Sequence, residues 1–469
     1  MKKQSVLLIF IFTFFSWFTV FSQPAKHQKN VLVILIDDLG YYDLSSHGSE
    51  FYETPNIDKL AQMGTEFHHA YVAHPRCLPS RYALQTGKFP AREQIPGKNS
   101  QLGPDDVSIG QAFKNHGYHT FFAGKWHLGH NPENWPQNKG YDINKGGCSA
   151  GAPRSYFYPY NESRNKKVSG KHKEIVGLED GKPGEYLTDR LTEETIKFIN
   201  MDHDGKPFFA MLCHYGVHTP FEAPQKIVKK YKEKLKNMSF EGPEIIIKDG
   251  ETKTHQNNAV YAAMIETVDE SLGKIMKVLK EKGLLDNTIV VFTSDHGGLS
   301  NRGVGNKRKL ATSNLPLRAG KGHVYEGGTK VPLVIYDPDV KTVSCNEVTI
   351  NTDLYPTLLD LCGLELMPRQ HLDGISMKPF MTDQSDLSDR TLYWHSPRAR
   401  PHSTGDHNCT AVRVGKYKLI DYYDQQKLEL YNLEKDPYEE DNLADKMPEL
   451  TQKLLNQIND WKKSVHAIK

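Results

Sequence analysis

The sequence lacks the cysteine patterns that build most zinc sites and redox pairs. Its 469 residues include only six cysteines. No two of them form a C-x-x-C pair and no Cys/His ladder accompanies them, which argues against a zinc-finger type site and a thioredoxin-type site. Their spacing leaves any disulfide pairing open. They stand singly, at Cys77, Cys148, Cys213, Cys345, Cys362 and Cys409.

The chain also lacks an excess of charge of one sign. It has 59 basic and 57 acidic residues and a formal net charge of +2, so its composition does not indicate a nucleic-acid-binding protein. Basic clusters at residues 229–236 and 307–309 are interpreted first as solvated surface. The sequence has no internal repeat and no low-complexity tract. Its length is enough for a large domain with a sizeable core and a smaller second one.

Long hydrophobic runs are missing after the first residues. The opening MKKQSVLLIFIFTFFSWFTVFSQ has a basic start, an apolar run and the small residue Ser22 at a plausible cleavage point, which is typical of a signal peptide over residues 1–22. The alternative is a membrane anchor. However, Thr13 and Ser16 interrupt the apolar run at residues 6–21, which is shorter than the roughly 20 residues that a span needs. We therefore expect an exported protein, periplasmic or secreted, whose mature form has no membrane segment.

Apolar runs indicate strands, and periodic segments between them indicate helices. The runs are VLVILIDD at 31–38, FFAMLCH at 208–214, TIVVFTSDHG at 288–297 and VPLVIY at 331–336. Continuous apolar runs are typical of strands buried on both faces. The helical segments are 107–115, with Asp106 as the expected N-cap, 186–199 and 256–282.

Strands that alternate with helices predict an α/β fold. We expect a large mixed, mostly parallel sheet sandwiched by helices, formed by residues 28–385. The composition becomes polar around 381–390, and the short strand-like pieces TLYWH, AVRVGKYKLID and KLELYNL follow, with an amphipathic helix at 448–466. Residues 386–469 are therefore predicted to form a smaller α+β subdomain.

Polar and charged residues stand directly after four apolar segments. In open α/β sheets, ligands bind beyond the carboxyl ends of the strands, so these side chains are expected at one site. A single Asp at a strand end is more often a turn residue or a cap, but four such segments together indicate chemistry. They carry Asp37 and Asp38, Lys125 and His127, His214 and His218, and Asp295 and His296.

Three carboxylates and one imidazole in this set suit a divalent cation. Oxygen donors predominate, which favours a hard ion such as Ca²⁺, or Mg²⁺, over zinc. Without a cation, three acids close together would repel one another. The predicted ligands are Asp37, Asp38, Asp295 and His296, and position 77 is a further candidate.

Cys77 differs from the other cysteines in its neighbours. Arg76 and Arg81 would lower the pKa of its thiol, and Pro79 stands where a first helical turn could begin. The alternative is a disulfide, because an oxidising compartment favours pairing. The local chemistry favours a reactive position.

The segment CLPSRYALQTG, which begins at Cys77, resembles the C-x-P-S-R signature of the type I, formylglycine-dependent sulfatases of the alkaline phosphatase superfamily. AGKWHLG, HTPF, DHGG and GKGHVYEGG are similar to other motifs of that family and occur in the family's order. The similarity extends from VLVILIDDLG to LYNLEKDPYEEDNLAD, and the chain resembles bacterial polysaccharide sulfatases. Position 296 is His where many members carry Asn.

This resemblance implies an alkaline phosphatase-like fold and a sulfuric ester hydrolase. It also implies that Cys77 is oxidised after translation to formylglycine (3-oxoalanine), by a formylglycine-generating or an anaerobic sulfatase-maturating enzyme. The hydrated aldehyde has two hydroxyl groups on one carbon, one to attack sulfur and one to expel sulfate afterwards. Position 77 would then be both the nucleophile and a ligand of the cation.

The resemblance also supports roles for other residues. Lys125 and Lys321 would hold the sulfate together with the cation, and Arg81 would orient the hydrated aldehyde. His127 would be the base that helps the sulfated intermediate collapse. His218 would be the acid that protonates the departing oxygen.

The expected substrate is a sulfated carbohydrate, an oligosaccharide of an anionic algal or host polysaccharide. This expectation rests on export and on basic residues near the sulfate pocket. The aromatic run at 155–161 would either stack on sugar rings or pack internally. For His214 a buried structural position, and for the C-terminal residues a surface loop, are equally good interpretations. The candidate substrate contacts are His214, Arg318 and His395, with Arg398 and Arg400 as further candidates.

Two other functions are compatible with the sequence. A phosphate or phosphonate monoester hydrolase of the same superfamily would share the architecture, although the additional His and Asp ligands of a second metal are not found. A non-catalytic glycan-binding protein on the same scaffold is the other alternative, because a fold does not guarantee its chemistry.

Overall fold

The computed structural model describes residues 28–96, 100–161, 175–340, 344–382 and 390–467. The predicted signal peptide at 1–22 and the predicted domain boundary after residue 385 lie outside these residues. Among the helices so described, none has both the length and the apolar character of a membrane span.

The strands range from two to seven residues in length. They are β1 (Asn30–Ile36), β2 (Thr65–Tyr71), β3 (His119–Gly124), β4 (Ile143–Lys145), β5 (Phe208–Cys213), β6 (Ile245–Ile247), β7 (Glu251–Lys253), β8 (Thr288–Ser294), β9 (Asn301–Arg302), β10 (Leu333–Tyr336), β11 (Ser344–Ile350), β12 (Thr391–Ser396), β13 (Cys409–Val414), β14 (Tyr417–Tyr422) and β15 (Lys427–Asn432).

Most of the longer helices cover the two faces of the largest sheet, and the last one covers the C-terminal sheet. They are α1 (Pro55–Met63), α2 (Cys77–Thr86), α3 (Ile109–Asn115), α4 (Leu187–Asn200), α5 (Gln225–Leu235), α6 (Ala259–Glu281), α7 (Glu326–Thr329), α8 (Leu354–Leu361), α9 (Lys378–Met381), α10 (Pro401–Thr404) and α11 (Pro448–Ser464).

The main sheet has eight strands in the order β11-β2-β10-β8-β1-β5-β3-β4. Neighbouring strands pair in parallel, except that β10 is antiparallel to both β2 and β8. Helices cover both faces, and the alternation along β1 shows why. Leu32, Ile34 and Ile36 pack in one core with α6, whereas Val31, Val33 and Leu35 pack in another with α2 and α8. The predicted α/β sandwich is confirmed.

The helix predicted at 107–115 begins later than expected. α3 starts at Ile109, and the side chain of Ser108 accepts a hydrogen bond from the backbone N–H of Gln111. Ser108 is therefore the N-cap, and the prediction of Asp106 in that role is wrong. Asp106 instead accepts hydrogen bonds from the Lys88 ammonium at 2.6 Å and the backbone N–H of Gly103 at 2.8 Å.

The C-terminal part forms the predicted smaller α+β subdomain. Strands β12 to β15 form an antiparallel sheet in sequence order. α11 covers one face, where Leu454 and Ile458 pack against strand residues such as Leu419. The other face packs on the main domain, and the indole N–H of Trp394 donates to the carbonyl of Val72 at 2.8 Å.

The strand register brings the ends of four parallel strands to one edge. Ile36 at the end of β1 pairs with Ser294 at the end of β8. Cys213 at the end of β5 pairs with Leu35 of β1 and with Gly124 at the end of β3. The residues that follow these strands therefore emerge side by side.

Candidate active site

Asp37 follows β1 and is completely buried. Its Oδ2 accepts a hydrogen bond from Lys125 Nζ at 2.5 Å, and its Oδ1 lies 3.7 Å from Arg81 Nη2 without a hydrogen bond. Burial raises the pKa of Asp37 well above its usual value, and the nearby Asp295 adds to this against the charge of Lys125. The carboxylate therefore has an oxygen with unused acceptor capacity.

Asp38 is held in the left-handed region of backbone conformation, at φ 65°. Such a conformation costs on the order of 1–3 kcal/mol in a non-glycine residue and is concentrated at functional sites. Both carboxylate oxygens accept hydrogen bonds from Lys321 Nζ, at 2.6 and 2.8 Å. Burial opposes ionisation, but the charges of Lys321, His218 and His296 hold the pKa of Asp38 well below its usual value.

Asp295 and His296 follow β8 and complete the group of acids. Asp295 Oδ2 accepts a hydrogen bond from Arg81 Nε at 2.9 Å, and Oδ1 accepts from the backbone N–H of Asp38 at 3.2 Å. His296 donates from Nδ1 to the carbonyl of Gly297 at 3.0 Å. Its Nε2 therefore has the free lone pair, and it lies 3.3 Å from Asp38 Oδ1.

Cys77 is the first residue of α2 and carries a free thiol, so the alternative of a disulfide is wrong. Its Sγ lies 3.1 Å from His296 Nε2, 3.5 Å from Lys321 Nζ and 3.9 Å from Asp38 Oδ1. Burial opposes ionisation of the thiol, but the charges of Lys125, Lys321 and His296 hold its pKa well below the usual value. The position is chemically activated.

These residues fit a divalent cation. Ligand atoms of Asp37, Asp38, Cys77 and His296 all lie within 4.8 Å of one another. Asp37 Oδ1 has no hydrogen-bond partner, and His296 Nε2 contacts other members of the same set, Cys77 Sγ at 3.1 Å and Asp38 Oδ1 at 3.3 Å. Carboxylate oxygens form half of this set and favour a hard ion. Asp295, also predicted as a ligand, lies beside the group, with Oδ1 3.5 Å from His296 Nε2.

Arg81 connects the acids to Lys125, the residue that follows β3. In addition to its bond with Asp295, it donates from Nη1 to the carbonyl of Lys125 at 2.6 Å. Its Nη2 is buried without a hydrogen-bond partner. Arg81 therefore fixes the arrangement of the acids and has one further donor for a group bound next to Cys77.

His127 and His218 complete the surroundings of Cys77. His127 has a φ of 62°, and a Cβ at Gly151 would lie 2.8 Å from its Nε2, so only glycine leaves room for the ring there. Burial lowers the pKa of His127 to about 4. His218 donates from Nδ1 to the carbonyl of Thr219 at 2.7 Å, and its Nε2 lies 3.8 Å from Asp38 Oδ2.

His218 is partly buried, and its desolvation together with the charge of Lys321 lowers its pKa to about 3. Both imidazoles are thus neutral at neutral pH before a substrate binds. An anion bound beside them would raise the pKa of each ring.

A cavity of about 700 Å³ opens above Cys77. We call Asp37, Asp38, Cys77, Asp295 and His296 the floor of the site. His127, His218 and Lys321 line the cavity next to Cys77, and Arg76 is a further lining residue. We call Arg308, Arg398 and Arg400, which line its outer part, the rim.

The model of the family "Sulfatase" matches residues 29–364 of this chain, which include every residue of the floor. The chain belongs to the sulfatase family. The model "N-sulphoglucosamine sulphohydrolase, C-terminal" matches residues 319–464. The protein is therefore a sulfuric ester hydrolase of the alkaline phosphatase superfamily, as the sequence motifs predicted.

Named relatives agree with this assignment. A "Sulfatase" of Formosa agariphila is 30% identical, over 94% of this chain and 89% of that protein. Arylsulfatase A of Bos taurus is 28% identical, over 92% of this chain and 87% of that protein. Among solved structures, Ps i-CgsB is 29% identical with a TM-score of 0.75, and the match covers 92% of each chain.

The structure brings together all the residues that were predicted to act on the sulfate or to bind the metal in this sulfatase. They lie on the floor or directly around it. They are Asp37, Asp38, Cys77, Arg81, Lys125, His127, His218, Asp295, His296 and Lys321.

His214, predicted as a substrate contact, is buried away from the cavity. Its Nε2 lies 3.0 Å from Ser271 Oγ on α6, and burial lowers its pKa to about 3. It follows β5 on the side of the sheet that α6 covers, whereas His218 lies one loop later and reaches the cavity. The buried structural interpretation of His214 is the right one.

Arg318 and His395 also lie outside the cavity. Arg318 pairs with Asp249 at 2.6 and 2.7 Å and stacks on the ring of Tyr325. His395 lies on β12, is buried, and its Nδ1 is 2.9 Å from Thr410 Oγ1. The prediction that these two residues contact the substrate is therefore wrong, and both side chains have structural roles.

The basic residues expected near the sulfate pocket include Arg308, which was also interpreted first as solvated surface, and it lines the cavity. Arg398 and Arg400, the further candidates for substrate contact, line the cavity as well. One supporting residue was not predicted. Tyr156, in the aromatic run at 155–161, is buried, and its hydroxyl lies 2.6 Å from the carbonyl of Tyr215 and 2.8 Å from that of His218. It supports the loop that carries His218, and nothing in the local sequence pattern indicates this.

Proposed function

We propose that this sulfatase removes sulfate from a sulfated carbohydrate, with a formylglycine made from Cys77 as the nucleophile. The observation that carries the proposal is the position of Cys77. It lies at the bottom of the cavity, 3.5 Å from the Lys321 ammonium, with acids below it and two imidazoles beside it. That arrangement can bind an anionic ester and move protons on both sides of it.

The proposal requires a maturation enzyme that oxidises the Cys77 thiol to an aldehyde. Once formed and hydrated, the aldehyde supplies one hydroxyl that attacks sulfur and a second whose deprotonation expels sulfate. A divalent cation, Ca²⁺ or Mg²⁺, would be held by Asp37, Asp38, His296 and position 77, next to Asp295. When bound, it would neutralise negative charge and act as a Lewis acid.

The protein's own side chains perform the remaining tasks. Lys321 and Lys125 place two positive charges beside Cys77, and these attract the oxygens of the ester. Arg81 keeps the acids in place through its bond with Asp295. The Nδ1 bond of His218 to Thr219 turns Nε2 toward the cavity. Once the bound ester has raised the pKa of the ring and Nε2 has taken up a proton, Nε2 can give that proton to the sugar oxygen as it leaves.

His127 would act as a base and accept a proton, whereas His218 donates one. Its Nδ1 is buried without a hydrogen-bond partner, and its low pKa in this state keeps the ring neutral and able to accept a proton. The ring and Cys77 line the same cavity. We therefore propose that His127 takes the proton whose loss releases sulfate.

The carbohydrate substrate is supported by the relatives and by the cavity. A second structure of Ps i-CgsB, 30% identical to this chain, was solved in complex with k-i-k-neocarrahexaose. The cavity is of the size that binds small organic ligands, larger than a sulfate group alone. We propose an oligosaccharide from an anionic algal or host polysaccharide. The signal-like residues 1–22 support an exported enzyme in the periplasm or outside the cell.

The proposal is tested by producing the protein with and without a maturation enzyme. The matured peptide containing Cys77 should be about 18 Da lighter, the change expected for conversion of a thiol to an aldehyde. Only this form should release sulfate from a panel of sulfated oligosaccharides. Full activity of the unmodified thiol, or turnover of aryl sulfates alone, would contradict the proposal. Matched phosphate esters in the panel test the alternative of a phosphate or phosphonate hydrolase.

A further inference from the structure

The rim of the cavity carries positive charges that the described residues leave without an ion pair. Arg398 and Arg400 are exposed, and neither guanidinium has a hydrogen bond or salt bridge within the described ranges. Arg308 is half-buried and donates from Nη1 only to Ser403 Oγ, at 3.3 Å. Guanidinium groups in proteins are commonly paired with carboxylates or phosphates. An exposed guanidinium is hydrated and needs no protein partner, but three of them around one cavity are available to pair with the same ligand.

The loop that carries Arg398 and Arg400 is anchored in place. It connects β12 with β13 and belongs to the C-terminal subdomain, yet it contacts the main domain at several points. Asn306 Nδ2 donates to the carbonyl of His402 at 2.6 Å, and His323 Nε2 donates to the carbonyl of Thr404 at 2.8 Å. The backbone is therefore fixed before any ligand binds.

A buried ion pair below the loop adds to this anchoring. Asp406 pairs with Arg76 and also accepts a hydrogen bond from the backbone N–H of Arg400 at 3.3 Å. The backbone N–H of Ala399 donates to Asn408 Oδ1 at 2.7 Å. Both arginines thus extend from a backbone with defined hydrogen bonds on each side.

No acid balances these charges inside the cavity. The described residues that line it include arginines, a lysine and two histidines but no Asp or Glu. Like-charge repulsion from Arg400 adds to burial in lowering the pKa of Arg76, against the charge of Asp406. A bound anion would relieve this repulsion.

We propose that Arg308, Arg398 and Arg400 form a second oxyanion subsite, which binds a sulfate or carboxylate group on the substrate other than the sulfate that is cleaved. The inference rests on the proposed function, because the second anion belongs to the same carbohydrate. The cleaved sulfate occupies the floor, where Lys125 and Lys321 supply its positive charges. The rim supplies guanidinium forks, which match planar or tetrahedral oxyanions through paired hydrogen bonds.

The subsite would make the enzyme selective for multiply charged oligosaccharides. A sugar with a single sulfate would use only the floor, whereas a sugar with two anionic groups would use both regions. Each hydrogen bond to a charged group contributes about 10- to 100-fold in affinity. Selectivity between the two classes is therefore the property to measure.

The experiment compares matured wild-type enzyme with the double variant Arg398→Gln/Arg400→Gln on three matched oligosaccharides. One carries only the cleaved sulfate, one carries a second sulfate and one carries a carboxylate in its place. We expect the wild type to prefer a doubly charged member. In the double variant the ratio of kcat/KM for that member over the monosulfated one should fall by about 10- to 100-fold. The change should lie mainly in KM.

Arg369→Gln is the matched control, since Arg369 is exposed and does not line the cavity. It should leave the ratio unchanged. Arg308→Gln tests the third member of the rim, and Arg398→Lys/Arg400→Lys should restore part of the preference because it keeps the charge. A loss that is equal for all three oligosaccharides, or no change in the ratio, would overturn the subsite.

Binding measurements separate the subsite from the proposed function. The Cys77→Ser variant, which should not turn over substrate, is tested for binding to an array of mono- and multiply charged oligosaccharides. Preference for a second sulfate or carboxylate that disappears with the rim arginines supports the subsite, and indifference contradicts it. Failure of the wild type to hydrolyse any sulfated carbohydrate would instead contradict the proposed function, whatever the array shows.

Discussion

Charged side chains are paired with one another on the floor of the cavity, whereas those of Arg398 and Arg400 at its rim are not. On the floor, Asp38 is paired with Lys321 at 2.6 Å and Asp295 with Arg81 at 2.9 Å, and all four side chains are buried. At the rim, Arg398 and Arg400 are exposed and have no ion pair among the residues that the structure describes. Buried charges must be compensated because desolvation is expensive, whereas exposed ones need not be.

The difference in charge pairing suits the floor to catalysis and the rim to the binding of a charged ligand. The floor holds charges in fixed positions, as catalysis by preorganised electrostatics requires. The rim leaves charges unpaired, so that a ligand can pair with them. It also belongs in part to another subdomain, because Arg398 and Arg400 lie between β12 and β13 while the floor follows strands of the main sheet. Substitutions in the two regions should therefore have different signatures.

The largest effect is expected at Cys77. Replacement by Ser removes the thiol from which the proposed nucleophile would be made, and loss of a nucleophile costs more than about 10⁴-fold in kcat. The measurement is sulfate release by ion chromatography from oligosaccharide substrates. Cys362→Ser is the control, because Cys362 is only partly buried and remote from the cavity. Similar losses in both variants would show that the effect is not specific to the floor.

Removal of divalent cations should have the next largest effect. A metal ion contributes several kcal/mol to transition-state stabilisation, so chelation should lower kcat by about 10³-fold or more. Ca²⁺ or Mg²⁺ should restore the activity and raise the midpoint of thermal unfolding. This rise in the unfolding midpoint should disappear in the variant Asp37→Asn/Asp38→Asn, which lacks two of the carboxylate ligands of the ion. A shift of equal size in that variant would place the ion elsewhere.

Replacement of His218 should separate good leaving groups from poor ones. A positioned acid contributes about 10²- to 10⁴-fold when the leaving group is a sugar alkoxide. His218→Gln should lose that much on an oligosaccharide sulfate and far less on 4-nitrophenyl sulfate, whose leaving group needs no proton. His214→Asn is the control, since His214 contacts Ser271 and not the cavity. Equal losses on both substrates would exclude the acid role.

A smaller effect, on stability, is expected at the base of the rim. Asp406→Asn leaves the buried guanidinium of Arg76 without its partner, and breaking a buried pair costs about 3–5 kcal/mol. The free energy of unfolding is measured by denaturant titration. Asp445→Asn, at an exposed position, should change it little. Because the floor is untouched, kcat on a monosulfated substrate should fall less in Asp406→Asn than in His218→Gln.

The floor was predictable from the sequence, and the rim only in part, since Arg398 and Arg400 were candidates for substrate contact whereas Arg308 was interpreted first as solvated surface. The run VLVILI followed by two aspartates identifies a buried strand that ends at a site, and parallel pairing then brings Asp37 beside Asp295. Spacing could not distinguish His214 from His218, because the direction of the loop after β5 decides which one reaches the cavity. The spacing of the apolar runs also did not indicate that β10 runs antiparallel to β2 and β8.

The rim depends on contacts between parts of the chain that are far apart. Arg308 reaches the cavity because its segment packs against the loop of the C-terminal subdomain, for example through Ser403. His395 was proposed for the site from its position near that loop. It lies on strand β12 instead, and its side chain points into the subdomain toward Thr410. Such docking has no local sequence signal.

The loop between β12 and β13 has a consequence for how this enzyme can diversify. The two ends of the loop lie in the C-terminal sheet, which contributes no residue to the floor. The tip of the loop reaches the opening of the cavity. If the rim is the proposed subsite, a graft of this loop from a relative should change which glycans are accepted and leave the hydrolytic residues intact. Selectivity and reactivity would then be encoded in separate, exchangeable stretches of one polypeptide.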